Sequence, residues 1–280
     1  MSGKVLERFR GDGAGGVVSG DGASSVSGDG ASAGAAIYHL RGAVLEALSP
    51  TRCASCERPG SLVCDGCRAS IVRIDPALSC TRCGAPYGSL VCTECRSEDG
   101  TLRLNAPRHL DRCLAAAVFK GPPSRIIKAY KDGGERRLAP VIADLLLAAA
   151  LEAEAAAPDR YGGIISEVDG VVFVPSTAEA YRRRGFDHME GVARPFAERS
   201  GAPLMDALVK HGSADQRALG REERRSSAEG AFETVLDVEG LRLLLLDDVV
   251  TTGSTVDAAA RALKGAGAVH VDVLALARVW

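Results

Sequence analysis

Aromatic side chains, long apolar runs and an excess of charge of either sign are all scarce in this sequence. Phe, Trp and Tyr make up 4% of the 280 residues, so base-stacking platforms for nucleic acid are not evident. The formal net charge of −2 argues against a protein that coats a polyanion. No apolar run reaches the length of a membrane-spanning helix, and no segment has the pattern of a signal peptide. We therefore expect a cytoplasmic protein in a reducing compartment.

The beginning of the chain is a low-complexity segment. Residues 11–34 are nearly all Gly, Ser, Ala and Asp, and they contain the direct repeat VSGDGASS followed by VSGDGASA. Such a segment cannot bury enough apolar area to offset its chain entropy, so residues 1–34 are predicted to form a disordered tail. The spacing of apolar residues over 36–48 then predicts an amphipathic helix, which Pro50 ends.

Eight of the nine cysteines form four CxxC pairs. A CxxC turn points two thiolates at a common centre, and a tetrahedral Zn²⁺ ion needs two such turns. The pairs therefore predict two structural zinc ions in a double zinc ribbon that, together with the preceding helix, occupies residues 35–100. The spacing leaves open whether consecutive pairs share an ion or the first pair joins the third; redox-active thiols are the less favoured alternative. The predicted ligands are Cys53, Cys56, Cys64, Cys67, Cys80, Cys83, Cys92 and Cys95.

Residues 101–280 alternate short apolar runs with amphipathic segments, which is typical of a mostly parallel sheet flanked by helices. The ninth cysteine, Cys113, precedes the first apolar run and is predicted to be a small core residue. Strands are predicted over 170–175, 242–246 and 269–276, and residues 114–119 are either a strand or the edge of the cysteine-rich module. Helices are predicted over 123–130, 137–150, 188–199 and 255–264.

The stretch LRLLLLDDVVTTGST, residues 241–255, joins a buried-strand pattern to two carboxylates and a hydroxyl-rich turn. In an open parallel sheet, ligands bind where the strands end, and Asp247 and Asp248 directly follow the apolar run. The turn at 251–255 exposes backbone N–H groups at the start of a helix, where an anion is favoured. A phosphate on the turn and a polyol on the carboxylates describe a sugar phosphate. A response-regulator acid pair would leave the turn unexplained, and the GxxxxGK[ST] pattern of P-loop nucleotidases is absent.

The same stretch resembles the loop of type I phosphoribosyltransferases that binds 5-phosphoribosyl-1-pyrophosphate (PRPP). The resemblance implies that Asp247 and Asp248 hold the ribose 2′- and 3′-hydroxyls at the catalytic centre. It also implies that the turn wraps the 5′-phosphate and that Mg²⁺ arrives with PRPP. The PRPP-binding residues are then Asp247, Asp248, Thr251, Thr252, Gly253, Ser254 and Thr255.

Cysteine-rich ribbons followed by such a domain look like the ComF family, which is associated with DNA uptake in competence. The resemblance implies a type I phosphoribosyltransferase-like parallel sheet flanked by helices, with an N-terminal zinc-ribbon module. One departure lies at Asp187 and His188, where the family usually has Asn-Gln; a carboxylate that only accepts hydrogen bonds replaces an amide. Besides the ribbon and the PRPP loop, the similar segments are 119–146, 171–194 and 216–232.

Two arginine clusters belong to these similar segments. Guanidinium groups suit pyrophosphate oxygens, although a solvated charged surface is the alternative explanation. The histidines are expected to be surface or packing residues, and only His188 is placed near the predicted site. The candidates for the pyrophosphate side are Arg183, Arg184, Arg221 and Arg225.

Two classes of function remain open. The first is an enzyme that transfers a phosphoribosyl group from PRPP and releases pyrophosphate, with an acceptor that the sequence does not identify. The second is a non-catalytic competence or DNA-uptake factor that binds PRPP, single-stranded DNA or partner proteins. Pyrophosphate release in the presence of candidate acceptors distinguishes the two.

Overall fold

The computed structural model describes residues 50–86, 91–96, 101, 103, 106, 109–212 and 230–280. The predicted tail at 1–34 and the predicted helix at 36–48 lie outside these residues. The described residues from Arg52 to Trp280 belong to one compact unit. None of the described helices is both long enough and apolar enough to cross a membrane.

The centre of the fold is a four-stranded parallel sheet, which confirms the predicted fold class. Among the described residues the strands are β1 (Arg112–Val118), β2 (Gly170–Phe173), β3 (Leu208–Lys210), β4 (Phe232–Thr234), β5 (Arg242–Val250) and β6 (His270–Arg278). The strand order of the parallel sheet is β1-β6-β5-β2, and β3 and β4 form a separate antiparallel pair.

Helices cover both faces of this sheet, as the alternation of sequence patterns predicts. Among the described residues the α-helices are α1 (Asp65–Ala69), α2 (Pro122–Lys131), α3 (Leu138–Ala156), α4 (Pro158–Tyr161), α5 (Ala178–Arg184), α6 (His188–Ser200) and α7 (Ser254–Gly265). The core on one face joins the sheet to α2, α3 and α6, and the core on the other face joins it to α7.

The apolar run of β5 explains why this strand lies in the middle of the sheet. Leu244 and Leu246 belong to the core beneath α3 and α6, whereas Leu243 and Leu245 belong to the core beneath α7. Side chains alternate between the faces of a strand, so a strand buried on both faces needs apolar residues at every position. Each of these leucines is fully buried, which stabilises the fold by about 1.5–3 kcal/mol per side chain.

The end of β5 differs from the prediction. The strand was expected to end at Leu246, but it continues through both aspartates to Val250. The reason is pairing with β6, which continues alongside as far as Val250, whereas β2 pairs with β5 only as far as Leu246. Asp247 and Asp248 therefore lie beyond the end of β2, although pairing with β6 still holds their backbone in the sheet. Because β2 ends earlier than β5, no neighbouring strand among the described residues fills the space beside the two aspartates on that side.

The cysteine-rich segment packs on the free edge of β1. Arg73 forms an antiparallel bridge with Ala117, and Ile74 N donates a hydrogen bond to Ala116 O at 3.1 Å. This pairing covers an edge that would otherwise expose unpaired backbone groups. Cys113 of β1 is fully buried and stands outside both groups of possible metal ligands, as predicted.

Candidate functional site

The eight ribbon cysteines form two groups of four, and each group contains two consecutive CxxC pairs. The consecutive arrangement is thus the one that the fold adopts, rather than the crossed one. Within each group the sulfur atoms lie within 4.8 Å of one another, and the Cys56–Cys64 and Cys83–Cys92 Sγ distances are both 3.7 Å. Four sulfurs around one zinc ion at the usual bond length lie about 3.8 Å apart, so both groups fit Zn²⁺.

Backbone donors around the sulfurs support the same assignment. Cys64 N donates to Cys53 Sγ at 3.5 Å, and Cys92 N donates to Cys80 Sγ at 3.3 Å. Such bonds favour the thiolate form that binds metal. All eight cysteines are free of disulfide bonds. The two groups could therefore bind two zinc ions, and they offer no position for a reacting molecule because all four protein ligands are present in each.

A cleft of about 760 Å³ opens beside the ends of β2 and β5. Helix α2 forms one wall, and the loop that follows β2 forms the opposite wall. The acid pair lies between these walls, and Thr251 and Thr255 line the same cleft. Thr252 instead lines a neighbouring space beside the second cysteine group. The fold thus brings the predicted acid pair and two residues of the predicted phosphate turn to one concave surface.

The two aspartates are both buried, with 5% of Asp247 and 9% of Asp248 exposed. Lys131 Nζ lies 2.6 Å from Asp248 Oδ2, and His188 Nε2 lies 3.3 Å from the same oxygen. Burial alone would raise the pKa of Asp248, but the hydrogen bond from His188 and the charge of Lys131 outweigh it and lower that pKa. For Asp247, burial and the charge of its neighbour raise the pKa to about 8. Of the two carboxyl groups, Asp248 is therefore the stronger acid and Asp247 the weaker.

Lys131 is a site residue that sequence reasoning missed. It is the last residue of α2 and comes 117 positions before Asp248. Its position in the AYKDGG stretch matches no binding motif, and its approach to the acid pair depends on how α2 packs over β6. The sequence could have indicated Lys131 only if the periodicity of α2 had been used to place this residue on the helix face that packs toward the sheet.

His188 is buried, and the residue before it, Asp187, fixes the start of its helix. Asp187 caps α6: its Oδ1 accepts hydrogen bonds from Met189 N at 2.9 Å and Glu190 N at 3.2 Å. Its Oδ2 accepts a bond of 2.6 Å from Ser176 N, which ties α6 to the loop after β2. An aspartate suits this position, where the family usually has asparagine, because each of these three backbone N–H groups needs an oxygen that accepts its hydrogen bond. The sequence placed His188 near the site but gave no sign of its contact with Asp248.

The phosphate turn takes its shape from local interactions. Gly253 has φ 84°, a left-handed conformation that disfavours side chains, and α7 begins directly after it. Ser254 N donates to Thr252 Oγ1 at 3.3 Å, and Thr252 Oγ1 donates to Ser254 Oγ at 3.0 Å. The hydroxyl residues Thr251, Thr252, Ser254 and Thr255 are exposed. An anion could therefore reach both these hydroxyls and the start of α7.

The four arginine candidates for the pyrophosphate side differ in their position relative to the cleft. Arg184 lines the cleft, with Nη1 3.3 Å from His188 Nδ1 and 3.4 Å from Ser176 Oγ. Its Nε is buried and has no partner in the part of the chain that the structure describes. Arg183 is exposed and does not line the cleft. Arg221 and Arg225 lie outside the described residues.

Lys210 is a second cation that the sequence did not indicate. It is the last residue of β3, it lines the cleft, and its ammonium group lies 5.2 Å from the centre of the Phe232 ring. Burial lowers its pKa, although the charges of the two aspartates oppose that effect. Arg184 and Lys210 therefore supply positive charge to the cleft in addition to Lys131.

Comparison with known proteins gives the same picture. The family described as phosphoribosyl transferase domain matches residues 183–279. DNA utilization protein YhgH of Salmonella typhi is 31% identical over 237 residues, which cover 82% of this chain and 97% of that protein. Competence protein F of Haemophilus influenzae is 23% identical and covers 77% of this chain and 90% of that protein. Competence protein ComFC of Streptococcus pneumoniae is 30% identical over 107 residues, which cover 38% of this chain and 47% of that protein.

Proposed function

The chain belongs to the ComF family, and we propose that it binds PRPP in the cleft and transfers the phosphoribosyl group to an acceptor, releasing pyrophosphate. The observation that carries this proposal is the meeting of a buried acid pair with Thr251 and Thr255, at the start of α7, on one concave surface. A sugar phosphate needs both features, one for its hydroxyls and one for its phosphate.

Each part of PRPP has a matching part of the cleft. The carboxylates of Asp247 and Asp248 accept hydrogen bonds from the 2′- and 3′-hydroxyls of the ribose. The turn from Thr251 to Thr255 donates hydroxyl and backbone hydrogens to the 5′-phosphate. The pyrophosphate extends toward Ser176, where Arg184 brings a guanidinium group with an unpaired buried nitrogen.

In the transfer, a nucleophile on the acceptor forms a bond to C1 of the ribose. The bond from C1 to the pyrophosphate oxygen breaks, and its electron pair leaves with pyrophosphate. A proton carried by the nucleophile passes to solvent. Positive charge develops on the ring, next to the two carboxylates, while negative charge develops on the leaving group near Arg184 and Lys210.

Two metals accompany this proposal in different roles. Mg²⁺, bound to PRPP, supplies charge neutralisation of the leaving pyrophosphate. Two zinc ions, one in each cysteine group, hold the ribbon against β1 and take no part in the transfer. We further propose a cytoplasmic location and a division of the chain into a tail at 1–34, a helix with the double ribbon at 35–100, and a phosphoribosyltransferase-like domain at 101–280.

The names of the relatives favour a second candidate, a non-catalytic factor in competence or DNA utilization. On this alternative the cleft binds PRPP without turnover, and single-stranded DNA or partner proteins bind elsewhere. Both candidates require PRPP binding, so binding alone does not separate them.

The experiment that tests the enzymatic proposal is a measurement of pyrophosphate release from PRPP with Mg²⁺ and a panel of nucleophilic acceptors. The proposal expects release that depends on an acceptor and disappears when Asp247 and Asp248 are both changed to Asn. PRPP binding without release from any acceptor in the panel would favour the non-catalytic factor.

A further inference from the structure

One wall of the cleft has no assigned contact once the parts of PRPP are placed. The turn takes the phosphate, the acid pair takes the ribose, and the loop after β2 takes the pyrophosphate. The remaining wall is helix α2, whose residues Ser124, Arg125 and Lys128 line the cleft. An acceptor that attacks C1 must occupy the space between the acid pair and this wall.

Helix α2 presents a row of cations along that wall. Arg125, Lys128 and Lys131 are spaced three residues apart, so each is a neighbour of the next on the helix surface, and all three line the cleft. Lys131 at the end of the row is bound to Asp248. Lys128 therefore lies about 4.5 Å further along the helix axis from the residue that contacts the acid pair. This step is comparable to the width of a six-membered ring.

The three cations of this row differ in whether another residue already binds their side chains. Arg125 Nη1 donates a hydrogen bond of 2.9 Å to Ser55 O, which lies between the metal-ligand candidates Cys53 and Cys56. Lys128 is exposed, and within the described part of the chain no hydrogen bond or ion pair holds its side chain. Asp132 is the acidic residue on the same wall. Lys131 is paired with Asp248, and Arg125 keeps its charge but is bonded to a backbone carbonyl, so Lys128 is the cation of this row whose side chain has no partner among the described residues.

Apolar groups lie beside this charge. The half-buried ring of Phe119 and the side chain of Ile127 line the same cleft. An apolar surface next to a lysine suits a flat molecule that carries an anionic group at its edge. A neutral molecule of the same shape would leave Lys128 without a hydrogen-bonding partner other than water, whereas an anion would form a charge-assisted hydrogen bond with it.

We propose that the acceptor is a small planar acid, whose carboxylate or phosphate group is bound by Lys128 while its nucleophilic atom faces C1 of the ribose. This inference rests on the proposed function and names the substrate class of the same site. In the transfer, the nucleophile of the acid forms the new bond to C1, pyrophosphate leaves with the electron pair of the broken bond, and the acidic group stays ionised throughout.

Matched pairs of probes test the inference on the full chain saturated with PRPP and Mg²⁺. Nicotinate with nicotinamide, and orotate with uracil, keep the ring and differ in the acidic group. Binding is measured by calorimetry, and pyrophosphate release is followed in parallel. We expect at least one acid to bind about tenfold or more tightly than its neutral counterpart, which corresponds to one charge-assisted hydrogen bond.

Two variants test whether Lys128 of helix α2 causes the preference for an acid over its neutral counterpart. Lys128→Gln should bring the acid and its neutral counterpart to about equal affinity, while the affinity for PRPP changes less than about twofold. Lys120→Gln removes an exposed positive charge that does not line the cleft, and it should keep the preference intact. Unchanged zinc content and PRPP affinity show that each variant is folded.

The outcomes separate this inference from the proposed function. If the unmodified chain does not bind PRPP, the proposed function fails. If PRPP binds but no acid in the panel binds more tightly than its neutral counterpart, the inference is overturned and the proposed function stands. A preference that survives Lys128→Gln, or binding of a short oligonucleotide but of no small acid, would overturn it as well.

Discussion

The acid pair and the phosphate turn are near neighbours in sequence, yet they are built in opposite ways. Asp247 and Asp248 are buried, and the side chains that contact Asp248 come from α2 and α6. The turn is exposed, and its conformation depends on Gly253 and on hydrogen bonds within the turn itself. The pair is thus a product of tertiary packing, whereas the turn is a product of local sequence. Substitutions in the two regions should therefore fail in different ways.

The largest effect is expected from Gly253→Val in the turn. A β-branched side chain at a positive φ costs about 1–2 kcal/mol, and its bulk would obstruct the approach of a phosphate. We expect the affinity for PRPP to fall by about 1,000-fold or more, at least as much as in the aspartate variant described below, because exclusion of the phosphate removes all of its contacts with the turn. Titration calorimetry measures this loss.

Gly240→Val is the matched control for that variant. Gly240 also has a positive φ, of 74°, and open space surrounds its α-carbon. It does not line the cleft. This variant should lose similar stability but keep its affinity for PRPP. Equal losses of affinity in the two variants would show that backbone strain, rather than exclusion of the phosphate, is responsible.

The next largest effect is expected from changing Asp247 and Asp248 together to Asn. The substitution keeps the size of each side chain but replaces acceptors by amides, at about 1.5–3 kcal/mol for each charged hydrogen bond to the ribose. The affinity for ribose 5-phosphate should fall in parallel with that for PRPP, because both carry the same hydroxyls. Retention of two zinc ions per chain, checked by metal analysis, separates loss of ligand from unfolding. Full affinity in this variant would rule out a role for the pair in binding the ribose.

A pH dependence should follow from the raised pKa of Asp247. Its stabilising contribution to the fold is present below the pKa of the unfolded chain and is lost as the pH rises through about 8. Binding of ribose hydroxyls favours the ionised carboxylate, so affinity for PRPP should instead increase by about tenfold between pH 7 and pH 8.5. Asp247→Asn is the control, because it removes the titrating carboxyl group. Any pH dependence that comes from ionisation of PRPP itself remains in this variant. A pH profile identical in the two proteins would contradict the assignment.

A smaller effect is expected from Lys131→Gln. The loss of the ammonium group removes one of the two contacts that lower the pKa of Asp248. Because His188 remains, we expect a loss of about 1 kcal/mol, or about fivefold in the affinity for PRPP. Lys120→Gln should leave the affinity unchanged, since that side chain does not line the cleft. A loss as large as that of the aspartate variant would show that Lys131 contacts the ligand directly.

The sequence predicted local features more completely than long-range ones. The paired cysteines and the four strands of the parallel sheet are marked by short patterns, and the structure confirms their existence and order along the chain. The antiparallel pair of β3 and β4 has no such pattern and is not predicted. Among the predicted strands, the largest difference lies at the end of β5. That end was misjudged because two charges in a row are typical of a strand terminus, whereas pairing with β6 carries the strand onward. Lys131 and Lys210 were missed because no pattern near them refers to the acid pair. Their roles arise only when α2 and β3 pack beside β5.

The central claim is that the buried acid pair and the exposed turn act together as one PRPP site, and calorimetry on the intact chain tests it most directly. Titration with PRPP in the presence of Mg²⁺ should show saturable binding to one site per chain. Ribose 5-phosphate should compete, because it reaches both the turn and the pair, whereas inorganic phosphate should compete only weakly. No heat and no thermal stabilisation with millimolar PRPP and Mg²⁺, in protein that carries two zinc ions, would contradict the claim.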